Sequence, residues 1–188
     1  MRPLLVLLFC IINLFISDVS AQSAFPLKLQ TIEGEAAVIS PSKSGPYTVL
    51  VFLLPDCPAC QSYTRTLSQL QSRFAHSGVR FIGIFAGKFS KKADMISFQK
   101  EYPLPFPLYV DTDHSLIQKL DVKVSPEVVV LDPSGTTRYQ GRIDDWMYAV
   151  GKKRSVIRNR DLEKALEELA KGHTPKNPRT TPIGCIIQ

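Results

Sequence analysis

The sequence predicts an α/β fold with a central mixed sheet covered by helices on both faces. Three observations predict it. Long, almost unbroken apolar runs stand at 47–54, 79–86 and 128–131. Runs of that kind belong to strands buried on both sides. Stretches with helical spacing lie between them. A turn sequence after the third run then folds the chain back as a hairpin. Strand, helix, strand, helix, hairpin and last helix is the order of a sheet with two covered faces.

Taken in order, Phe25 to Gln30 reads as a short strand, and Ala36 to Ile39 as its return after the Glu33-Gly34-Glu35 turn. Ser40 to Pro46 is a loop of Pro, Ser, Lys and Gly. Tyr47 to Leu54 is the first buried strand. The helix that follows carries Tyr63, Leu67, Leu70 and Phe74 on one stripe, and Ser77-Gly78 ends it. Val79 to Ala86 is the second buried strand. Lys91 to Tyr102 is a helix stopped by Pro103. Leu108 to Val110 is a short strand, Ser115 to Leu120 a short helix, and Val128 to Leu131 the third buried strand. Asp132-Pro133-Ser134-Gly135 suits a type I turn at every position, so Thr136 to Gln140 returns antiparallel. Leu162, Leu166 and Leu169 define a closing helix, with Gly172 beyond its end.

With 188 residues, 44% hydrophobic and 21% charged, the chain has ordinary globular composition and enough length for one domain. The net charge of +6 is spread out apart from a local excess at 142–160, and no nucleic-acid motif accompanies it. Arg2, the apolar stretch from Leu4 to Ile16 and the small residues Val19-Ser20-Ala21 read as a signal peptide over 1–21. Its rival is an uncleaved anchor, which would give weak membrane association. Phe9 is too bulky for lipid attachment at Cys10. The expected organisation is therefore a signal peptide at 1–21, one domain at 22–172 and an extended tail at 173–188, with the product periplasmic or otherwise outside the cytoplasm.

Without the leader, Cys57, Cys60 and Cys185 remain. Cys57-Pro58-Ala59-Cys60 stands where a buried strand meets a helix. Unpaired N–H groups and the helix dipole there favour a thiolate at Cys57. Such settings lower a cysteine pKa from about 8.5 into roughly the 3.5–7.5 range. Pro58 suits the first helical turn. Two intervening residues bring both sulfurs within bonding distance. Cys57 would attack a substrate disulfide, and Cys60 would resolve the mixed disulfide. A c-type haem needs His after the second cysteine, where Gln61 stands. Zinc needs further ligands, and His76, His114 and His173 are scattered. A structural bridge over so short a loop adds little stability. No metal or cofactor is expected.

On these residues the chain resembles the thioredoxin-like superfamily. Asp56 to Cys60 matches its Cys-x-x-Cys site, and Ser125-Pro126 matches its cis-proline segment. The resemblance runs from about Phe25 to Leu169. The elements before Cys57 and the insert between Val79 and Pro126 look most like the exported redoxin branch, TlpA- and ResA-like or peroxiredoxin-like. It implies a thioredoxin-like fold with an N-terminal strand extension. It also implies an exported thiol–disulfide oxidoreductase that exchanges disulfides with partner proteins and an upstream redox partner. Cys57, Cys60 and Pro126 would be catalytic, with Pro58, Ala59 and the backbone of Ser125 contacting substrate. Two features depart from the family: no acid lies within Tyr47 to Leu54, and Asp56 replaces the usual Trp. Alternatives are a non-catalytic interaction domain and a thiol peroxidase. The latter is disfavoured because Leu50 and Leu54 stand where a peroxidase places its proline and hydroxyl residue.

Arg142, Asp144 and Asp145 read as solvated turn charges, with a docking edge as the alternative. Trp146, Met147 and Tyr148 read as packing under the last helix. Cys185 lies in Ile183-Gly184-Cys185-Ile186-Ile187, an apolar end to a proline-rich tail. That pattern predicts docking onto the domain, with Gly184 permitting close approach. There Cys185 is a buried inert thiol, a third redox cysteine that exchanges with Cys57, or an intermolecular bridge.

Overall fold

The computed structural model describes residues 23–41, 45–86 and 90–188. The signal-peptide and anchor readings, and Cys10, lie outside the described residues.

The first two strands, β1 (Leu27–Gln30) and β2 (Ala36–Ile39), form a hairpin at one edge. Next come β3 (Thr48–Leu53), helix α1 (Pro58–Phe74), β4 (Arg80–Phe85), α2 (Lys92–Glu101), β5 (Leu108–Val110) and α3 (Ser115–Leu120). After them stand β6 (Val124–Ser125), β7 (Glu127–Leu131), β8 (Thr137–Gly141), β9 (Met147–Ala149), β10 (Lys152–Lys153), α4 (Asp161–Ala170) and β11 (Cys185–Ile186). The main sheet has seven strands in the order β2-β1-β5-β4-β3-β7-β8. β3, β4 and β5 run parallel, while β7 and β8 pair antiparallel. This is the mixed α/β sheet expected, with the N-terminal hairpin added at β5 through Gln30 and Val110.

Every residue of β3 is buried because the pleat sends alternate side chains into two separate cores. Val49, Val51 and Leu53 meet α1, α2 and α4 through such residues as Leu67, Phe98 and Leu166. Leu50 and Phe52 meet Leu116 and Ile117 of α3 together with Leu27 and Leu29 of β1. Leu162 and Leu166 are wholly buried, each worth about 1.5–3 kcal/mol in apolar transfer. Tyr63, Leu67, Leu70 and Phe74 form the buried stripe of α1. Gly78, at φ 71°, ends the following 3₁₀ turn in a conformation that favours glycine.

Two side-chain expectations are overturned. Asp144 and Asp145 are buried, at 2% and 5% exposure, rather than solvated. Asp144 Oδ1 accepts hydrogen bonds from the Tyr63 hydroxyl (2.7 Å) and the Trp146 N–H (2.9 Å). Asp145 Oδ1 accepts the backbone N–H groups of Arg158 and Asn159. Arg142 pairs with Asp161 at 2.7 Å, with Asp161 at the start of α4. These charges fasten the segment after β8 to α1 and α4, because buried polar groups need partners. Trp146 packs edge-on to Tyr63 of α1 at 5.5 Å, Met147 is buried, and Tyr148 is half exposed.

Beyond α4 the tail returns along the sheet edge. The Gln140 N–H donates to Pro178 O and Gln140 O accepts the Thr180 N–H, at 2.9 and 3.0 Å. Thr180 Oγ1 also lies 2.7 Å from the Tyr139 hydroxyl. No helix among the described residues is long and apolar enough to cross a membrane.

Candidate thiol–disulfide site

The chain leaves β3 at Leu53, turns through Pro55 and Asp56, and enters α1 at Cys57. Cys57 has extended backbone at φ −83° and ψ 115°, and no side chain caps the helix. Its sulfur therefore stands at the open positive end of the helix dipole. Pro58 fills the first helical position and is exposed. Ala59 is packed into the core at 1% exposure.

Cys60 is one turn further in and fully buried, with a free thiol. Burial pushes that thiol up to about 11. The Leu54 N–H, 3.4 Å from the sulfur, and the Ser125 hydroxyl pull the other way, while Asp56 adds to the rise. No carboxylate on β3 is available as a proton acceptor. Glu127 is buried on β7, but Val128 and Val130 share the cysteine-side core, so strand alternation turns Glu127 to the opposite face. There it accepts a hydrogen bond from Gln140 Nε2 at 2.9 Å.

The Ser125–Pro126 peptide bond is cis. Ser125 is fully buried, and its carbonyl oxygen lies 3.4 Å from Cys57 Sγ. Two segments separated by 68 positions thus meet at one sulfur. The bond at that sulfur goes to Cys185, not Cys60: Cys57 and Cys185 form a disulfide with Cα atoms 6.1 Å apart. β11 lies antiparallel to β6, with Cys185 opposite Ser125 and Ile186 opposite Val124. The Ile187 N–H donates to Lys123 O at 3.0 Å. Sequence reasoning singled out the tail's apolar end but missed its strand partner. The signal available was the extended bias of the residue before a proline, set against a β-branched tail. Among the described residues no cluster of three or more His, Cys, Asp and Glu could hold a metal.

A mixed sheet of this order, with Cys-x-x-Cys opening α1 beside a cis-proline segment, defines a thioredoxin-like redoxin. The profile of the AhpC/TSA family matches residues 21–140, and the chain belongs to that family. Thiol-disulfide oxidoreductase ResA of Bacillus subtilis (strain 168) is 25% identical over 79 residues, 42% of this chain. That match spans only 43% of ResA's length. A conserved protein of Geobacillus kaustophilus superposes with a TM-score of 0.74 at 22% identity, covering 89% of this chain and 90% of its own. A secreted Mycobacterium tuberculosis disulfide oxidoreductase homologous to DsbE gives 0.51 at 25% identity, covering 61% and 81%.

Proposed function

We propose that this protein is a thiol–disulfide oxidoreductase acting on protein thiols and disulfides outside the cytoplasm. The observation that carries the reading is Cys57, at the dipole end of α1, held against the backbone of Ser125 with the thiol of Cys60 beneath it. The Cys57 thiolate attacks one sulfur of a substrate disulfide. That bond breaks, and the departing thiolate takes a proton. Cys60 then gives up its proton and attacks Cys57 Sγ, expelling the second substrate thiolate. The substrate disulfide is reduced and Cys57–Cys60 is formed. The same steps in reverse oxidise a substrate dithiol, and an upstream redox partner resets the pair. Pro126 holds Ser125 so that its backbone can pair with an extended peptide. The apolar leader at the N-terminus and the secreted mycobacterial relative support export.

The test is the double variant Cys60→Ser, Cys185→Ser. It should accumulate mixed disulfides through Cys57 with cellular proteins on non-reducing gels. Absence of adducts would overturn the reading. Membership of the AhpC/TSA family favours a second reading, peroxide reduction at Cys57. Against it, the two positions where a peroxidase carries its proline and hydroxyl residue are Leu50 and Leu54, the first wholly buried. Rapid consumption of hydrogen peroxide by the reduced protein would reverse that preference.

A further inference from the structure

We propose that residues 181–188 are an internal substrate of this enzyme, and that Cys185 exchanges with Cys60 for the bond to Cys57. The proposal rests on the thiol–disulfide reading of Cys57. A peptide bound for exchange must lie extended along an open strand edge and bring its sulfur to the attacking cysteine. The tail meets both requirements. β11 adds antiparallel to β6, Ile187 continues the pairing at Lys123, and Cys185 is bonded to Cys57. The edge it occupies is the one that presents Ser125 to a peptide. Tail and external substrate therefore compete for one site.

The register also defines what fits there. A Cβ on Gly184 would stand 2.0 Å from the Ser125 carbonyl oxygen, a contact with backbone that cannot turn aside. The position before the exchanging cysteine thus accepts only glycine in this register. Ile183 and Cys185 pack on the α1-side core, Ile187 packs on the opposite one, and Ile186 is 74% exposed. The site therefore suits an extended Gly-Cys segment with an apolar residue two positions beyond the cysteine, where Ile187 packs. Upstream, the contacts of Gln140 and Tyr139 with 178–180 act as a clamp that keeps the segment close when the disulfide opens.

The exchange balances without any external oxidant or reductant. Cys60 loses its proton, its thiolate attacks Cys57 Sγ, the Cys57–Cys185 bond breaks, and Cys185 leaves as a thiolate that takes up a proton. One disulfide and one thiol stand on each side of the step.

Oxidised glutathione, added to the reduced full-length protein, separates the cases. Products are trapped with acid, alkylated and mapped without reduction. In Cys60→Ser, the glutathione adduct on Cys57 should be displaced by Cys185. It should fall below about one tenth of the protein, and Cys57–Cys185 should accumulate. In Cys60→Ser, Cys185→Ser the adduct should persist. It should persist also in Cys60→Ser, Gly184→Val, which keeps Cys185 but loses the register. In the wild type, the Cys57–Cys185 form incubated with catalytic reduced glutathione should convert in part to Cys57–Cys60 with Cys185 alkylated. Equal adducts in the single and double serine variants, or a Cys57–Cys185 bond that never yields Cys57–Cys60, would overturn the proposal and leave the function of Cys57 intact. No disulfide at Cys57 in any variant would overturn the thiol–disulfide reading itself.

Discussion

Gly184 lies against Ser125 so closely that any side chain on it would overlap the Ser125 carbonyl, at 2.0 Å from a Cβ. Gly184→Ala should therefore lift β11 from β6 even though alanine is small. The expected cost in the oxidised protein is about 1–3 kcal/mol, the range for forced overpacking. Urea denaturation measures it. An unchanged midpoint would mean that the tail does not hold this register in solution. Deleting residues 181–188 should likewise lower the melting temperature.

The Cys57–Cys185 bond spans a sequence separation of 128. Closing so long a loop restricts the unfolded chain, and a bond of this type contributes about 2–5 kcal/mol. Reduction, or Cys185→Ser, should lower stability by that amount. A Cys57–Cys60 bond closes only a few residues and should contribute far less. Denaturation of oxidised Cys60→Ser, which can close only Cys57–Cys185, against oxidised Cys185→Ser, which can close only Cys57–Cys60, would show the difference.

With Cys10, Cys57 and Cys185 all replaced by Ala, the remaining thiol is Cys60, which burial holds up at about 11. Thiolate absorbance near 240 nm should appear with a midpoint about two units above the ordinary 9.0. The sign for stability follows. A raised folded pKa favours the protonated thiol, so this contribution is whole below about pH 9 and is lost as pH rises toward 11. A midpoint at or below 9 would mean that the cysteine is not desolvated.

Tyr63→Phe removes the hydroxyl that donates to Asp144 at 2.7 Å and accepts from the Met147 N–H at 3.3 Å. Asp144 Oδ2 is already buried with no hydrogen-bond partner. The loss should be about 1–3 kcal/mol, the cost of leaving buried polar groups unpaired. Burial already raises the Asp144 carboxyl, and Tyr63 and the Trp146 N–H act to lower it. The variant should raise it further, and a carboxyl titration by NMR would follow that shift.

The sequence by itself determined the sheet and its covers. Runs such as 47–54 and 128–131 can be buried only on two sides, and the stripe on α1 can face only a core. It also placed Cys57 at a helix start and marked Ser125-Pro126 and the Ile-Gly-Cys-Ile-Ile end, because those signals are local. Only the tertiary structure decided what each of these meets. Asp144 and Asp145 look like surface charges until Tyr63, 81 positions from Asp144, and the backbone of Arg158 and Asn159, 13 and 14 positions beyond Asp145, supply their partners. The two-residue strand β6 shows no periodicity, so nothing local announces that β11 will pair with it. The choice of Cys185 over Cys60 at Cys57 belongs to the same class. Proximity in sequence favours the neighbouring thiol, but strand pairing at Ser125 brings the distant one to the sulfur of Cys57, itself only 2% exposed, while Cys60 stays a free buried thiol.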